Sequence, residues 1–137
     1  MTIEARAMTG IDTNVLIRFI TRDDPDQSQR ADEFLESLTP QAPGFVSLVA
    51  LAELVWVLRR RYRVSRTEMI QRLKQLLDSP ELVLEGQAAV TRALQRFTSA
   101  RADFADCLIE RLGNAAGCGE TVTFDQDASR FAGMRLL

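Results

Sequence analysis

Apolar residues recur along this chain in two rhythms. Short apolar runs stop at a polar residue or a glycine, whereas longer stretches repeat their apolar residues every three or four positions. The short runs are Met8 to Ile11, Phe45-Val46, Leu82 to Leu84 and Thr121 to Phe124. They predict strands, the first weakened by Gly10. Between them, Asp12-Thr13-Asn14 caps a helix carrying Val15, Leu16, Phe19 and Ile20. Pro25 opens a second helix with Ala31, Phe34, Leu35 and Leu38 on one side, stopped by the breakers from Pro40 to Gly44. Ser47 suits the cap of a long helix from Leu48 to about Arg61. Ser65-Arg66-Thr67-Glu68 is a capping-box pattern opening a helix through Leu77, and these two predict a helical hairpin. Further helices are expected from about Gln87 to Phe97 and from about Ala102 to Ala116, with a short helical turn after Asp125.

Strands alternating with helices predict an α/β domain, a mainly parallel sheet flanked by helices. No repeat, low-complexity tract or linker divides the 137 residues, so one domain spanning 1–137 is expected, with 1–7 as an N-terminal extension.

Composition then narrows the chemistry. The chain has 17 Lys plus Arg, 19 Asp plus Glu and no histidine, giving a formal charge of −2. Without imidazole, Ser-His-Asp and Cys-His nucleophiles, histidine acid–base catalysis and histidine-ligated zinc are all excluded. Lys74 is the sole lysine and lies inside a predicted helix, which argues against Walker-type phosphate loops and Schiff-base chemistry. Cys107 sits in an apolar-periodic stretch and Cys118 in a glycine-rich turn, a poor disulfide framework that suggests a reduced, cytoplasmic setting. Met1 to Ala7 lacks the apolar core of a leader, and the apolar stretch from Phe45 to Leu58 carries Glu53 and is too short to cross a bilayer. No membrane association is expected.

The remaining chemistry points to carboxylates. Asp12 and Asp125 each close an apolar strand at its C-terminal end, the rim where open α/β sheets collect ligands. Each also suits a plain helix cap. Glu53 has Val49, Ala50, Trp56 and Val57 as its same-face helical neighbours, which predicts a carboxylate drawn into an apolar surrounding and in need of compensation. Asp103 and Asp106 stand one turn apart on a helix whose apolar stripe is Phe104, Leu108, Ile109, Leu112 and Ala116. That arrangement also describes an ordinary solvated face, and acids in a first helical turn gain from the macrodipole.

Four blocks together carry more than any one. Gly10-Ile11-Asp12-Thr13-Asn14-Val15-Leu16-Ile17, the stretch from Ser47 to Trp56 with Glu53, Ala102-Asp103-Phe104-Ala105-Asp106, and Thr123-Phe124-Asp125 closely resemble the motifs of PIN-domain ribonucleases, in particular the VapC toxins of toxin–antitoxin pairs. The resemblance runs from Met8 to Leu137, which makes Met8 a candidate functional start. It implies a PIN-like three-layer fold. It also implies that Asp12, Glu53 and Asp106 are the core acids, and Asp125 the more variable fourth. Thr13, Asn14 and Asp103 match supporting positions, and Ser47 and Thr123 stand where a hydroxyl lines the pocket. Clustered carboxylates without His or Cys favour Mg²⁺ or Mn²⁺ over zinc, and the resemblance implies the same ions. Such a site activates water for in-line attack at phosphorus; the family's reaction is endonucleolytic RNA cleavage leaving a 5′-phosphate and a 3′-hydroxyl. A homodimer and a small VapB-like antitoxin are the implied protein partners.

Arg59-Arg60-Arg61-Tyr62-Arg63 is the densest basic run. It suits RNA phosphates, with Tyr62 available to stack on a base, and equally suits cations at a helix C-terminus. Leu51, Leu54, Val55, Trp56 and Leu58 exceed what one buried stripe needs; they suit mostly core, with part of that surface left for an antitoxin segment or a second protomer. Competing classes are weaker. A receiver domain needs a strand-end lysine, and a haloacid-dehalogenase-like phosphatase wants an acid where Asn14 stands. A catalytically inert PIN-like binding module would not need acids at all four positions.

Overall fold

The computed structural model describes residues 7–137. The suggested extension, apart from residue 7, therefore lies outside the described residues. The chain forms two compact units, one ending at Glu85 and one running Gly86–Leu137.

The first unit is built on three parallel strands, β1 (Thr9–Gly10), β2 (Gly44–Val46) and β3 (Leu82–Leu84), in the order β1-β2-β3. Thr9 pairs with Gly44, and Gly44 in turn with Leu82. Gly44 lets the ends of neighbouring side chains pack close, because a Cβ there would lie 2.5 Å from Ile11 Cδ1 and 2.9 Å from Leu38 Cδ1 and would make them shift. Parallel neighbours need long crossovers, and α1 (Thr13–Thr21), α2 (Pro25–Ser37), α3 (Leu48–Arg60) and α4 (Arg66–Asp78) supply them. Each starts where a capping side chain meets free backbone N–H groups: Asp12, Asp24, Ser47 and Ser65 all accept from the first turn of the following helix. Helices α3 and α4 follow one another as expected, yet α3 packs chiefly on α1, and α4 on β3. Leu16, Val46, Leu51, Leu54, Leu58 and Leu73 are almost wholly buried.

The second unit pairs α5 (Gln87–Ser99) with α6 (Phe104–Ala115) and adds β4 (Val122–Thr123), α7 (Gln126–Phe131) and β5 (Arg135–Leu136). Phe97 and Phe104 meet edge to face, ring centroids 5.6 Å apart. The core stripe of α6 differs from the expected one. Cys107 is fully buried with Phe104 and Leu108, whereas Ile109 is 54% exposed and Ala116 is exposed. Moving the stripe from Ile109 to Cys107 brings it closer to the 3.6-residue repeat, with 104, 107 and 108 on one face. Strand β5 was not anticipated. It lies parallel to β4, Val122 opposite Arg135 and Thr123 opposite Leu136, after a left-handed Gly133 that ends the α7 turn. No helix among the described residues is long and apolar enough to cross a membrane.

Candidate active site

In the first unit the candidate acids gather around Thr13. Asp12 follows β1 by two residues and its Oδ1 accepts from Thr13 N at 2.7 Å, fixing the start of α1. Thr13 itself is buried, and its hydroxyl donates to Glu53 Oε1 at 2.6 Å, with Ala50 O at 3.5 Å as a marginal second acceptor. One residue thus takes Asp12 on its backbone and Glu53 on its side chain. This coupling spans forty positions and has no local sequence signal.

Glu53 is not drawn into an apolar pocket as its neighbours suggested. It is exposed, because Val49 and Trp56 beside it are themselves 79% and 57% exposed, and the buried face of α3 is Ala50, Leu51, Leu54, Val55 and Leu58. Its compensation comes from the Thr13 hydroxyl instead. Ser47 caps α3 through Ala50 N at 3.1 Å, and Glu85, which the sequence reading did not single out, accepts from Leu48 N at 2.9 Å. The α3 N-terminus is therefore satisfied by a hydroxyl and a carboxylate. Asn14 is exposed and lines a cleft of about 370 Å³ with Thr9, Arg18, Gln27, Arg30 and Phe34, a cleft that does not include Asp12 or Glu53.

In the second unit the acids face one another. Asp106, in the first turn of α6, is partly buried and its carboxyl is pushed above the usual aspartate range. Burial is the main cause, followed by the negative charges of Asp103, Asp125 and Asp127. Asp103 occupies the N-cap position of α6. Asp125 follows β4 by two residues and caps α7, its Oδ1 accepting from Asp127 N at 2.8 Å and Ala128 N at 3.2 Å. Thr123 Oγ1 accepts from Asp125 N at 2.9 Å and so sets the turn that presents Asp125. Asp127 is a further acid the sequence reading passed over; its position two residues beyond Asp125, in the first turn of α7, was the available signal.

Several acids elsewhere in the chain are matched with arginines. Arg22 forks onto Asp32, Arg111 onto Glu110 and Arg135 onto Glu120, and Arg18 meets Asp23 at 3.3 Å. Among the described residues, Asp12, Glu53, Asp106 and Asp125 have no such cation. Hard oxygen donors of uncompensated charge fit Mg²⁺ or Mn²⁺, which are held by one or two carboxylates and several waters. Among the described residues no three or more Asp, Glu, His or Cys side chains are grouped so that they could hold a metal ion by themselves. Asp12 and Asp125 each turn an oxygen back to a helix N-terminus, and Glu53 turns one to Thr13.

The basic run closes α3. Arg60 lies over the Trp56 ring at 5.9 Å from its centroid, Arg61 caps the helix, and Arg63 adopts a left-handed φ of 52°. Tyr62 is not the free aromatic the sequence suggested. Its hydroxyl donates to Asp23 Oδ2 at 2.6 Å and its ring is partly buried. That hydrogen bond, with a lesser one from Thr21, holds the Asp23 carboxyl below its ordinary range. Trp56 is the exposed aromatic of this stretch.

The fold and the strand-end acids define a class, an α/β domain whose parallel strands end in carboxylates. A PIN domain family model matches residues 11–134. The chain belongs to the PIN domain family. It is also similar to a protein of Aquifex aeolicus (strain VF5) called VapC ribonuclease, 24% identical over 118 residues that cover 85% of this chain and 87% of that protein.

Proposed function

We propose that this PIN-domain protein is an endoribonuclease toxin of the VapC type, hydrolysing RNA phosphodiesters with Mg²⁺ or Mn²⁺ bound by Asp12, Glu53, Asp106 and Asp125. The observation that carries the proposal is the crowding of acids at Asp106, in a chain whose residues 11–134 match the PIN domain family. Burial and the negative charges of Asp103, Asp125 and Asp127 raise the proton affinity of Asp106, and none of the four motif acids has an arginine partner among the described residues. Similarity to a VapC ribonuclease over most of both chains supports the substrate class.

Each residue has a task in this reading. A bound divalent ion lowers the pKa of water and offsets negative charge at phosphorus. Thr13 holds Glu53 by its hydroxyl and Asp12 by its backbone N–H, so both carboxylates keep a free oxygen in a set orientation. Thr123 fixes the turn that presents Asp125. Asp103 and Asp127 add negative charge around Asp106, which strengthens its attraction for a cation. Ser47 sets the α3 N-terminus that carries Glu53, and Asn14 is a further donor beside Asp12. A VapB-like antitoxin and a second copy of the chain are the protein partners in this proposal, with the cytoplasm as its setting.

The test is incubation of the purified chain with end-labelled RNAs and Mg²⁺ or Mn²⁺. Cleavage that EDTA abolishes, leaving a 5′-phosphate and a 3′-hydroxyl, is the expected result. An absence of cleavage across a broad RNA panel overturns the proposal. The capping roles of Asp12 and Asp125 favour a second reading, a catalytically inert binding module. In that case carboxylate-to-amide changes would leave divalent-ion affinity unaltered.

A further inference from the structure

We infer that the exposed face of α3 holds a single-stranded stretch of RNA, with a base stacked on Trp56 and phosphates on the arginines that follow it. The inference rests on the ribonuclease reading and deepens it by naming how the substrate is gripped. Val49, Glu53, Trp56 and Arg60 fall at i, i+4, i+7 and i+11, a single helix face. The face carries, in order, an apolar residue, a candidate catalytic acid, an aromatic ring and a cation. At 1.5 Å per residue, Trp56 lies roughly 4.5 Å along the axis from Glu53, and Arg60 roughly 6 Å beyond it.

Trp56 is 57% exposed and Val49 79%, although tryptophan has the largest apolar area of any side chain to hide. Arg60 lies over the ring. Beyond it, Arg61 and Arg63 are also exposed, and among the described residues Arg60, Arg61 and Arg63 form no ion pair. Arg18, Arg22, Arg30 and Arg72 of the same unit all meet carboxylates.

A ring flanked by unmatched guanidinium groups suits a polyanion whose monomers carry π-faces. Stacking then gives affinity without sequence preference, and the arginines take phosphates. An apolar peptide would leave the three cations unmatched. A second copy would offer Glu53 as the sole acid of this face against them. A base inside a duplex presents no free face, so the occupant is single-stranded.

Trp56 is the chain's single tryptophan, so its fluorescence reports on this face alone. An Asp12→Asn background in Mg²⁺ is titrated with a short single-stranded oligoribonucleotide and with the same sequence as a duplex, affinity being followed in parallel by anisotropy of labelled RNA. Saturable quenching by the single strand, and much less by the duplex, is the expected result. Trp56→Ala should weaken binding about 5- to 100-fold, the range of one base–aromatic stack, with Trp56→Phe recovering part of it. Arg60→Gln should lower the salt slope by about 1. Absence of quenching, or equal quenching by the duplex, overturns the inference. So does a Trp56→Ala change that halves the sedimentation mass while RNA affinity stays constant, which assigns the face to a second copy. Cleavage by the otherwise native chain separates the two readings. Normal cleavage with an unchanged KM in Trp56→Ala removes this inference and leaves the nuclease. Quenching by RNA in a chain that cleaves nothing removes the nuclease and leaves the RNA-binding face.

Discussion

Asp12 and Glu53 in the first unit are each engaged by Thr13, a buried residue that hydrogen-bonds one carboxylate through its backbone and the other through its hydroxyl. Asp106 in the second unit is instead surrounded by acids, and burial together with the charges of Asp103, Asp125 and Asp127 raises its proton affinity. The first arrangement sets geometry with neutral donors. The second holds charge that only a cation or a proton relieves. The metal site proposed for this chain would need both properties, oriented oxygens and a local negative potential; each unit carries one of them.

The largest expected effect comes from removing a proposed ligand while keeping its cap. Asp12→Asn retains an N-cap acceptor of nearly equal quality, so thermal stability should stay close to that of the native chain. RNA cleavage should fall by about 10²- to 10³-fold, the range seen when one group that stabilises transition-state charge is removed. Cleavage assays beside a melting curve check both halves. Next comes Thr13→Val, which keeps the shape but leaves Glu53 without its hydroxyl donor. Cleavage should drop by about 10- to 100-fold, as for outer groups that orient metal ligands, and stability by about 1 kcal/mol. Equal activity would show that the Thr13 link does not position Glu53.

A smaller effect distinguishes the second unit from the first. Because the Asp106 carboxyl titrates above its unfolded value, the native state binds this proton more readily than the unfolded chain. Stability in EDTA should therefore fall as pH rises from the ordinary aspartate range through the raised value. Asp106→Asn should flatten that slope and raise or preserve stability at neutral pH, by at most about 1 kcal/mol because the group is partly solvated. Cleavage should nevertheless be lost. A clear destabilisation at neutral pH would remove the charge-repulsion account. The smallest expected change is Glu120→Gln, whose partner Arg135 is exposed. Both melting temperature and cleavage should remain as they were, since exposed pairs contribute little.

The local chemistry of the fold was legible in the sequence. Asp12, Ser47, Ser65 and Asp125 all cap the helices they were expected to cap, and Leu82–Leu84 is a strand as read. Caps and turns depend on residues within one helical turn, so a linear pattern carries them. What the pattern could not carry is which apolar residues are core. Trp56, Val49 and Ile109 have the hydrophobicity of buried residues yet face outward, while Cys107 is wholly buried. Periodicity registers apolar character, not whether another surface covers it. The same limit explains Glu53, whose environment is decided by Thr13 forty positions away. Strand β5 escaped for a related reason, since two exposed residues owe their strand form to distant pairing with β4.

Calorimetric titration of Mn²⁺ into the native chain, Asp12→Asn and Asp106→Asn tests the central claim most directly, because it asks whether both kinds of acid serve one function. The account predicts measurable binding by the native chain and a loss of at least about tenfold in affinity in each variant, with both variants folded. Undiminished Mn²⁺ affinity in both would contradict it, leaving Asp12 a helix cap and Asp106 a strained surface acid.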